Sequence, residues 1–274
     1  VNNMALLEVK DLSISSGERE IVKNVSFTID KGECLAIIGE SGSGKSITAS
    51  CIGRILPQAL SITSGSITVN GKDVVSMDKK ELQSARGELF AYVFQDYQSA
   101  FTPFIKVGKQ MHEMIRAHKK MSREAEKEKI LKSFANVGLD AERIYNSYPF
   151  QMSGGQMQRC AIAQAMILDP DILIADEPTT ALDSVSTIKV LELIERIKTE
   201  LGCAILFISH DLRTVKSYAD EIAIMYKGQI VEYRPKEDIF ADPQHEYTKN
   251  LFAAIPPLRN VPKRLPILEM ESQK

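Results

Sequence analysis

The segment Gly39-Glu-Ser-Gly-Ser-Gly-Lys45-Ser46 holds the densest chemistry in the sequence. Its spacing is that of a phosphate loop, G-x-x-x-x-G-K-[ST]. Gly39, Gly42 and Gly44 let the backbone wrap so that the N–H groups of Glu40, Ser41, Ser43 and their neighbours can converge on an anion. Lys45 supplies a point charge for the β- and γ-phosphates, and the Ser46 hydroxyl is an oxygen donor suited to Mg²⁺. An apolar run, Cys34-Leu-Ala-Ile-Ile38, precedes the loop, and a helical stretch from Ser46 to Leu56, stopped by Pro57, follows it. A helix start adds positive potential where phosphate would sit.

Two further groups matter in that company. Asp176-Glu177 directly follows the apolar run Ile172–Ala175. Carboxylates at the C-terminal end of a buried strand stand where α/β sheets place ligands. Asp176 is suited to hold Mg²⁺, and Glu177 to polarise an attacking water. In Met152-Ser-Gly-Gly-Gln-Met-Gln-Arg159, a serine and two glycines precede the apolar helical stretch Ala161–Leu168. That is a second helix start with free N–H groups, and so a second anion site. One phosphate loop already wraps a triphosphate from one side, so a second such helix implies another nucleotide surface.

The elements that must position these groups read as α/β. Val25-Ser-Phe-Thr-Ile and Ser66-Ile-Thr-Val-Asn alternate as half-buried strands, the latter ending at the turn signal Asn70-Gly71. The continuous apolar runs suit strands buried on both faces. Val190, Leu191, Ile194, Ile197 and Leu201 recur at helical spacing between the runs Ile172–Ala175 and Ala204–Ile208, and Gly202 ends the helix. Strand, helix, strand predicts a parallel pair. From 96 to 158 the pattern turns helical: Ser122 caps a helix carrying Ile130, Leu131, Phe134 and Val137, with Arg123–Lys129 as its solvated side. Prolines accumulate after residue 235 and mark a C-terminal extension with a loose end.

Composition bounds the rest. The chain has 274 residues, 44% hydrophobic and 26% charged, with 34 basic against 36 acidic side chains. That is globular composition without a basic field for gripping nucleic acid. The longest strongly apolar run, Cys203–Ile208, is far too short for a bilayer, which needs about 20 residues, and the N-terminus lacks the pattern of a signal peptide. Cys34, Cys51, Cys160 and Cys203 are scattered and read as small apolar fillers. His112, His118 and Met111 read as ordinary surface or packing residues rather than metal ligands.

Taken together, the motifs make the chain resemble the ATP-binding subunit of an ABC transporter. Gly39–Ser46 is similar to Walker A, Ser153-Gly154-Gly155-Gln156 to the signature (with Met152 where leucine is usual), and Ile172–Glu177 to Walker B. Gln95 in Val-Phe-Gln-Asp resembles the Q-loop, Ala181-Leu-Asp183 the D-loop and His210 in Ser-His-Asp the switch histidine. Tyr97-Gln-Ser-Ala-Phe-Thr-Pro103 and His245-Glu-Tyr-Thr-Lys-Asn-Leu-Phe-Ala-Ala-Ile-Pro256 resemble the peptide and nickel importer branch. Tyr148-Pro-Phe-Gln-Met-Ser-Gly-Gly155 is similar to its nickel type.

This resemblance implies a P-loop ABC ATPase fold with a RecA-like parallel-sheet core and an N-terminal antiparallel β subdomain. The nucleotide-binding core would comprise 1–95 and 159–235, the helical signature subdomain 96–158 and the importer-type extension 236–274. It implies ATP and Mg²⁺, the metal held by Ser46, Gln95 and Asp176. Glu177 would act as base with His210, Gln95 and Lys45 in the catalytic set, and Asp183 would reach across a dimer seam. Implied partners are a second, paralogous ATPase, two membrane permease subunits and an extracytoplasmic binding protein, with the chain on the cytoplasmic face of the membrane. The segment after Gln95 would receive a coupling helix. Cargo stays open between peptide, nickel or another metal, and a metal–chelator complex. Two other functions are a soluble ABC ATPase, and a P-loop kinase, which the signature motif opposes.

Two departures stand out. Residues 1–26 contain no Phe, Tyr or Trp, and Ser16 occupies the place where an adenine-stacking ring is expected. Modest nucleotide affinity and weak base selectivity follow, because such stacking contributes roughly 1–3 kcal/mol. No cysteine follows Cys203, so no C-terminal iron–sulfur cluster is expected.

Overall fold

A computed structural model describes residues 5–253. Two sheets organise it. The N-terminal sheet is antiparallel, in the order β2-β1-β4-β5, from β1 (Leu7–Ser16), β2 (Arg19–Ile29), β4 (Ser61–Val69) and the short β5 (Lys72–Asp73). Leu7 faces Ile29 across the first pair and Val69 across the second. Burial alternates along the end of β2, with Val25, Phe27 and Ile29 inside and Ser26 and Thr28 outside, as one solvated face requires. Asn70 and Gly71 both take positive φ in the hairpin after β4, as the sequence predicts.

The second sheet has six strands in the order β10-β9-β3-β8-β7-β6. These are β3 (Cys34–Ile38), β6 (Phe90–Val93), β7 (Ile172–Asp176), β8 (Ala204–Ile208), β9 (Glu221–Tyr226) and β10 (Gln229–Pro235). All are parallel except β10, which runs antiparallel along one edge. Both faces of this sheet are covered. Leu35 and Ile37 of β3 pack into the core shared with the N-terminal sheet. Cys34, Ala36 and Ile38 pack into a second core beneath the helices. This is why the apolar runs lack alternation. The pair β7 and β8 is parallel, joined by α7 (Ser184–Leu201), which ends on Gly202 in the left-handed conformation.

The helical region carries α3 (Val107–His118), α4 (Arg123–Asn136), α5 (Ala141–Asn146) and α6 (Gly154–Met166). The expected boundary at 158/159 falls inside α6. The remaining helices are α1 (Lys45–Ile52), α2 (Lys79–Glu88), α8 (Leu212–Tyr218), α9 (Lys236–Ala241) and α10 (Glu246–Ala253). The prolines at 256, 257, 262 and 266 lie outside the described residues.

Three local expectations need correction. Helix α1 stops at Ile52, not Leu56, because Gly53 caps it and Arg54 turns left-handed. Leu201 is exposed at the end of α7 rather than part of its apolar face. Glu126, within the run expected to be solvated, is buried: it accepts hydrogen bonds from Arg116 at 2.7 and 2.9 Å and sits 2.6 Å from His112 Nδ1. His112 is a packing residue, as expected: it is buried, with its Nε2 2.9 Å from the Tyr145 hydroxyl. The four cysteines are buried and free, and burial pushes the thiols of Cys34, Cys51 and Cys203 up to about 12.

Candidate nucleotide site

Parallel strands deliver their C-terminal ends to one edge of the sheet, and the chemistry collects there. The phosphate loop leaves β3 and enters α1, Asp176 closes β7, His210 lies two residues beyond β8, and Gln95 lies two residues beyond β6. The loop is braced from behind. A Cβ on Gly39 would stand 2.1 Å from the Met225 carbonyl oxygen, so only glycine fits. The Gly228 N–H, in the turn after β9, donates to the Ser43 carbonyl at 3.0 Å.

Lys45 is buried, and its Nζ donates to the carbonyls of Gly39 at 2.9 Å and Glu40 at 2.7 Å. Burial lowers its pKa, against the opposing pull of the Glu177, Asp176 and Glu40 carboxylates. The Ser46 hydroxyl donates to Asp176 Oδ1 at 3.0 Å. Burial raises the Asp176 carboxyl above its ordinary value; the Ser46 bond lowers it and neighbouring Glu177 raises it further. A cation between Ser46 and Asp176 would relieve that cost.

Glu177 takes a left-handed backbone, φ 46°, unusual for a residue with a side chain. Its N–H donates to the Ile208 carbonyl at 2.9 Å, which ties the turn after β7 to the end of β8. One carboxylate oxygen accepts from the Thr180 hydroxyl at 3.0 Å; the other lies 3.1 Å from His210 Nδ1. The structure thus brings Lys45, Ser46, Asp176, Glu177 and His210 to one place. Gln95 is exposed at the same edge, two residues past the end of β6, the strand beside β7.

The second helix start stands apart. Ser153 caps α6: its hydroxyl accepts the Gln156 N–H at 3.3 Å, and the Gln156 side chain accepts the Ser153 N–H at 3.1 Å. Ser153 and Gly154 are exposed. Among the described residues, no hydrogen bond or ion pair joins Ser153–Gln156 to the Lys45–Glu177–His210 group. Asp183 caps α7 by accepting from the Ser186 N–H at 2.9 Å and its hydroxyl at 2.7 Å, bonds that hold its carboxyl below the ordinary range. The two helix starts touch: a Cβ on Gly155 would lie 2.4 Å from Ser186 Oγ.

Two residues outside the sequence-derived set link these parts. Gln158, fully buried on α6, donates from Nε2 to the Pro178 carbonyl at 2.7 Å, one residue past Glu177. The available signal was a glutamine between the apolar positions Met157 and Cys160. Tyr97, two residues after Gln95, is buried with its hydroxyl 3.0 Å from where a Gly154 Cβ would stand. Beside Tyr97 opens a groove of about 330 Å³ lined by Ile55, Phe90, Phe94, Met114 and His118. A larger groove of about 680 Å³ lies between α4 and α7, away from this edge. Ser16, at the end of β1, has no aromatic ring among residues 5–26 for company.

Comparison with known proteins agrees with this geometry. The family model for ABC transporters matches residues 22–180, and that for the oligopeptide/dipeptide transporter C-terminal region matches 231–273. The oligopeptide transport ATP-binding protein OppD of Bacillus subtilis is 44% identical over 261 residues, 93% of this chain and 73% of that protein. The metal-staphylopine import system ATP-binding protein CntD of Staphylococcus aureus is 42% identical over 253 residues, 91% of this chain and 93% of that one. A solved dimer of the ATP-binding cassette MJ0796, bound to ADP and Pi, superposes with a TM-score of 0.74 at 29% identity, covering 84% of this chain and 98% of that one. With a family model spanning more than half its length and relatives aligned along nearly all of it, the chain belongs to the ABC transporter family, as an ATPase of its importer type.

Proposed function

We propose that the chain couples ATP hydrolysis to uptake by pairing head to tail with a second, paralogous cassette. Lys45 and the amides of Gly39–Ser46 hold the β- and γ-phosphates. Glu177 polarises the attacking water, and His210, in contact with Glu177, reaches the γ-phosphate. Positioning and charge stabilisation are what phosphoryl transfer chiefly requires. The Ser153–Gln156 helix start of one cassette covers the nucleotide held by the other, with Asp183 at the seam. The observation that carries this reading is the division of labour: the loop, the carboxylates and His210 meet at one sheet edge, while the exposed start of α6 does not meet them within the same chain.

The donors present fit Mg²⁺. Ser46 Oγ and Asp176 Oδ1 are hard oxygen ligands 3.0 Å apart, with Gln95 at the same edge. Among the described residues no group of three His, Cys, Asp or Glu side chains assembles a metal site, so phosphate and water would complete the shell. When bound, the ion neutralises phosphate charge.

The groove beside Tyr97 supports docking of a coupling helix from a membrane subunit, since it is apolar and flanks the Gln95 segment. No helix among the described residues is long and apolar enough to cross a membrane, which fits a peripheral subunit on the cytoplasmic face. Partners are two permease subunits and an extracytoplasmic binding protein. That protein meets the cargo: oligopeptide, or nickel or another transition metal, free or chelated. The similarity to OppD and CntD spans both cargo classes. The test is Lys45→Ala in the assembled transporter. ATP turnover should be abolished through lost triphosphate binding, measured by calorimetry; unchanged turnover would refute the assignment.

A further inference from the structure

The C-terminal extension reaches into the phosphate loop. Tyr247, the second residue of α10, accepts a hydrogen bond at its hydroxyl from the Glu40 N–H, 2.9 Å away and 207 positions distant in sequence. That N–H belongs to the Gly39–Glu40 peptide, whose own carbonyl accepts Lys45 Nζ at 2.9 Å. A peptide is planar, with N–H and C=O on opposite sides. Tyr247 therefore holds one side of the plane against which the Lys45 ammonium rests.

Tyr247 is itself fixed from two directions. Its ring stacks on that of Tyr226, the last residue of β9, with centroids 4.1 Å apart and planes 22° from parallel. The chain entering α10 is anchored on Glu232 of β10. This buried carboxylate pairs with Arg234 and accepts the N–H groups of Gln244 at 3.0 Å and His245 at 3.1 Å. Burial alone would raise its carboxyl, yet these bonds hold it at about 2. The anchor, the stacked ring and the hydroxyl together form a continuous strut from the C-terminal extension to the loop.

We propose that Tyr247 is a positioning residue of the nucleotide site, orienting the Gly39–Glu40 peptide so that the loop and Lys45 are preset for a triphosphate. The proposal rests on reading Gly39–Ser46 as the nucleotide loop. It gives the extension a direct effect on nucleotide affinity.

The test compares Tyr247→Phe, Tyr226→Phe and Lys45→Ala in the full chain, by calorimetry with ATP and ADP, and by turnover in the complex with its partner subunits. Tyr247→Phe keeps the stacked ring and removes only the acceptor. The Kd for both nucleotides, and KM for ATP, should rise about three- to tenfold while kcat stays within about twofold. Tyr226→Phe should match the wild type in both, and thermal melting should show both variants folded. Equal affinities for Tyr247→Phe and wild type, with Lys45→Ala unable to bind, would overturn the proposal and leave the loop assignment standing. An equal loss in Tyr226→Phe would reduce the strut to packing and overturn it too. ATP binding retained by Lys45→Ala would overturn the loop assignment and the proposal together.

Discussion

Helices α1 and α6 both begin at glycine-rich turns, yet their first turns are built differently. The residue before α1 is Gly44, left-handed at φ 110°, with no side chain to cap the helix. The residue before α6 is Ser153, in extended backbone, and a reciprocal capping box with Gln156 satisfies two of the orphan N–H groups. An uncapped start costs stability unless something else accepts from it. Helix α1 is left without a side-chain cap, and beside its start Ser46 pairs with Asp176 and Glu177 with His210. Helix α6 closes its own start with that capping box, and leaves Ser153 and Gly154 exposed while Gly155 is buried against Ser186. On the proposed pairing, the first would hold a nucleotide within the chain and the second would cover the nucleotide of another cassette.

Binding and hydrolysis should come apart at Glu177. Glu177→Gln keeps the fold of the turn and its N–H bond to Ile208 while removing the base. Hydrolysis should fall by about 10²–10⁴-fold, the usual range for a general base. ATP should still bind, and the paired cassettes should accumulate in a closed state visible by size-exclusion chromatography. Normal turnover would exclude Glu177 as the base.

A smaller and more discriminating effect is expected at the other helix. Ser153→Ala removes half of the capping box, so the melting temperature should drop by about 2–4 °C. Calorimetry on the single chain should show an unchanged Kd for ATP. Turnover by the assembled pair should fall about 10- to 100-fold, the worth of a hydrogen bond to a charged group. A matching loss of ATP affinity in the single chain would mean that Ser153 serves its own loop, and the two-half description would fail.

How much of this was legible in the sequence differs between the halves. The places of Gly39–Ser46 and Asp176-Glu177 were readable because their context is local: a doubly buried strand has a continuous apolar run, and these polar residues follow within a few positions. The order of strands was not readable, since β3 lies between β8 and β9, drawn from the far end of the chain. The end of α1 escaped because Pro57 is a stronger signal than Gly53, although Gly53 acts first. Contacts such as Gln158 to Pro178 and Tyr247 to Glu40 leave no periodic trace, because each joins elements whose meeting is decided by the sheet. Glu126 was misjudged for a related reason. A run of alternating charges looks like a solvated helix face, and nothing local shows that Arg116 and His112 of another helix will surround one of its members.

That buried carboxylate gives the mildest test, since it separates how the two halves are held together. The strands beneath the phosphate loop pack through apolar side chains, whereas α3, α4 and α5 meet around Glu126, Arg116, His112 and Tyr145. The Arg116 hydrogen bonds, opposed by desolvation and aided by His112, hold the Glu126 carboxyl below its ordinary value of 4.5. A carboxyl lowered on folding contributes stability that is present in full above its unfolded value and is lost as pH falls through its folded one. Glu126→Gln should therefore lower the melting temperature by several degrees near neutral pH. The gap from wild type should hold steady down to about pH 5 and narrow below about pH 4.5. Nucleotide affinity of the single chain should not change, because the substitution lies in the half that carries α6 and leaves the α1 loop alone. A gap that widened on acidification would mean that the folded helices favour the protonated carboxyl, and the cluster would then be a cost to the signature-bearing half rather than its support.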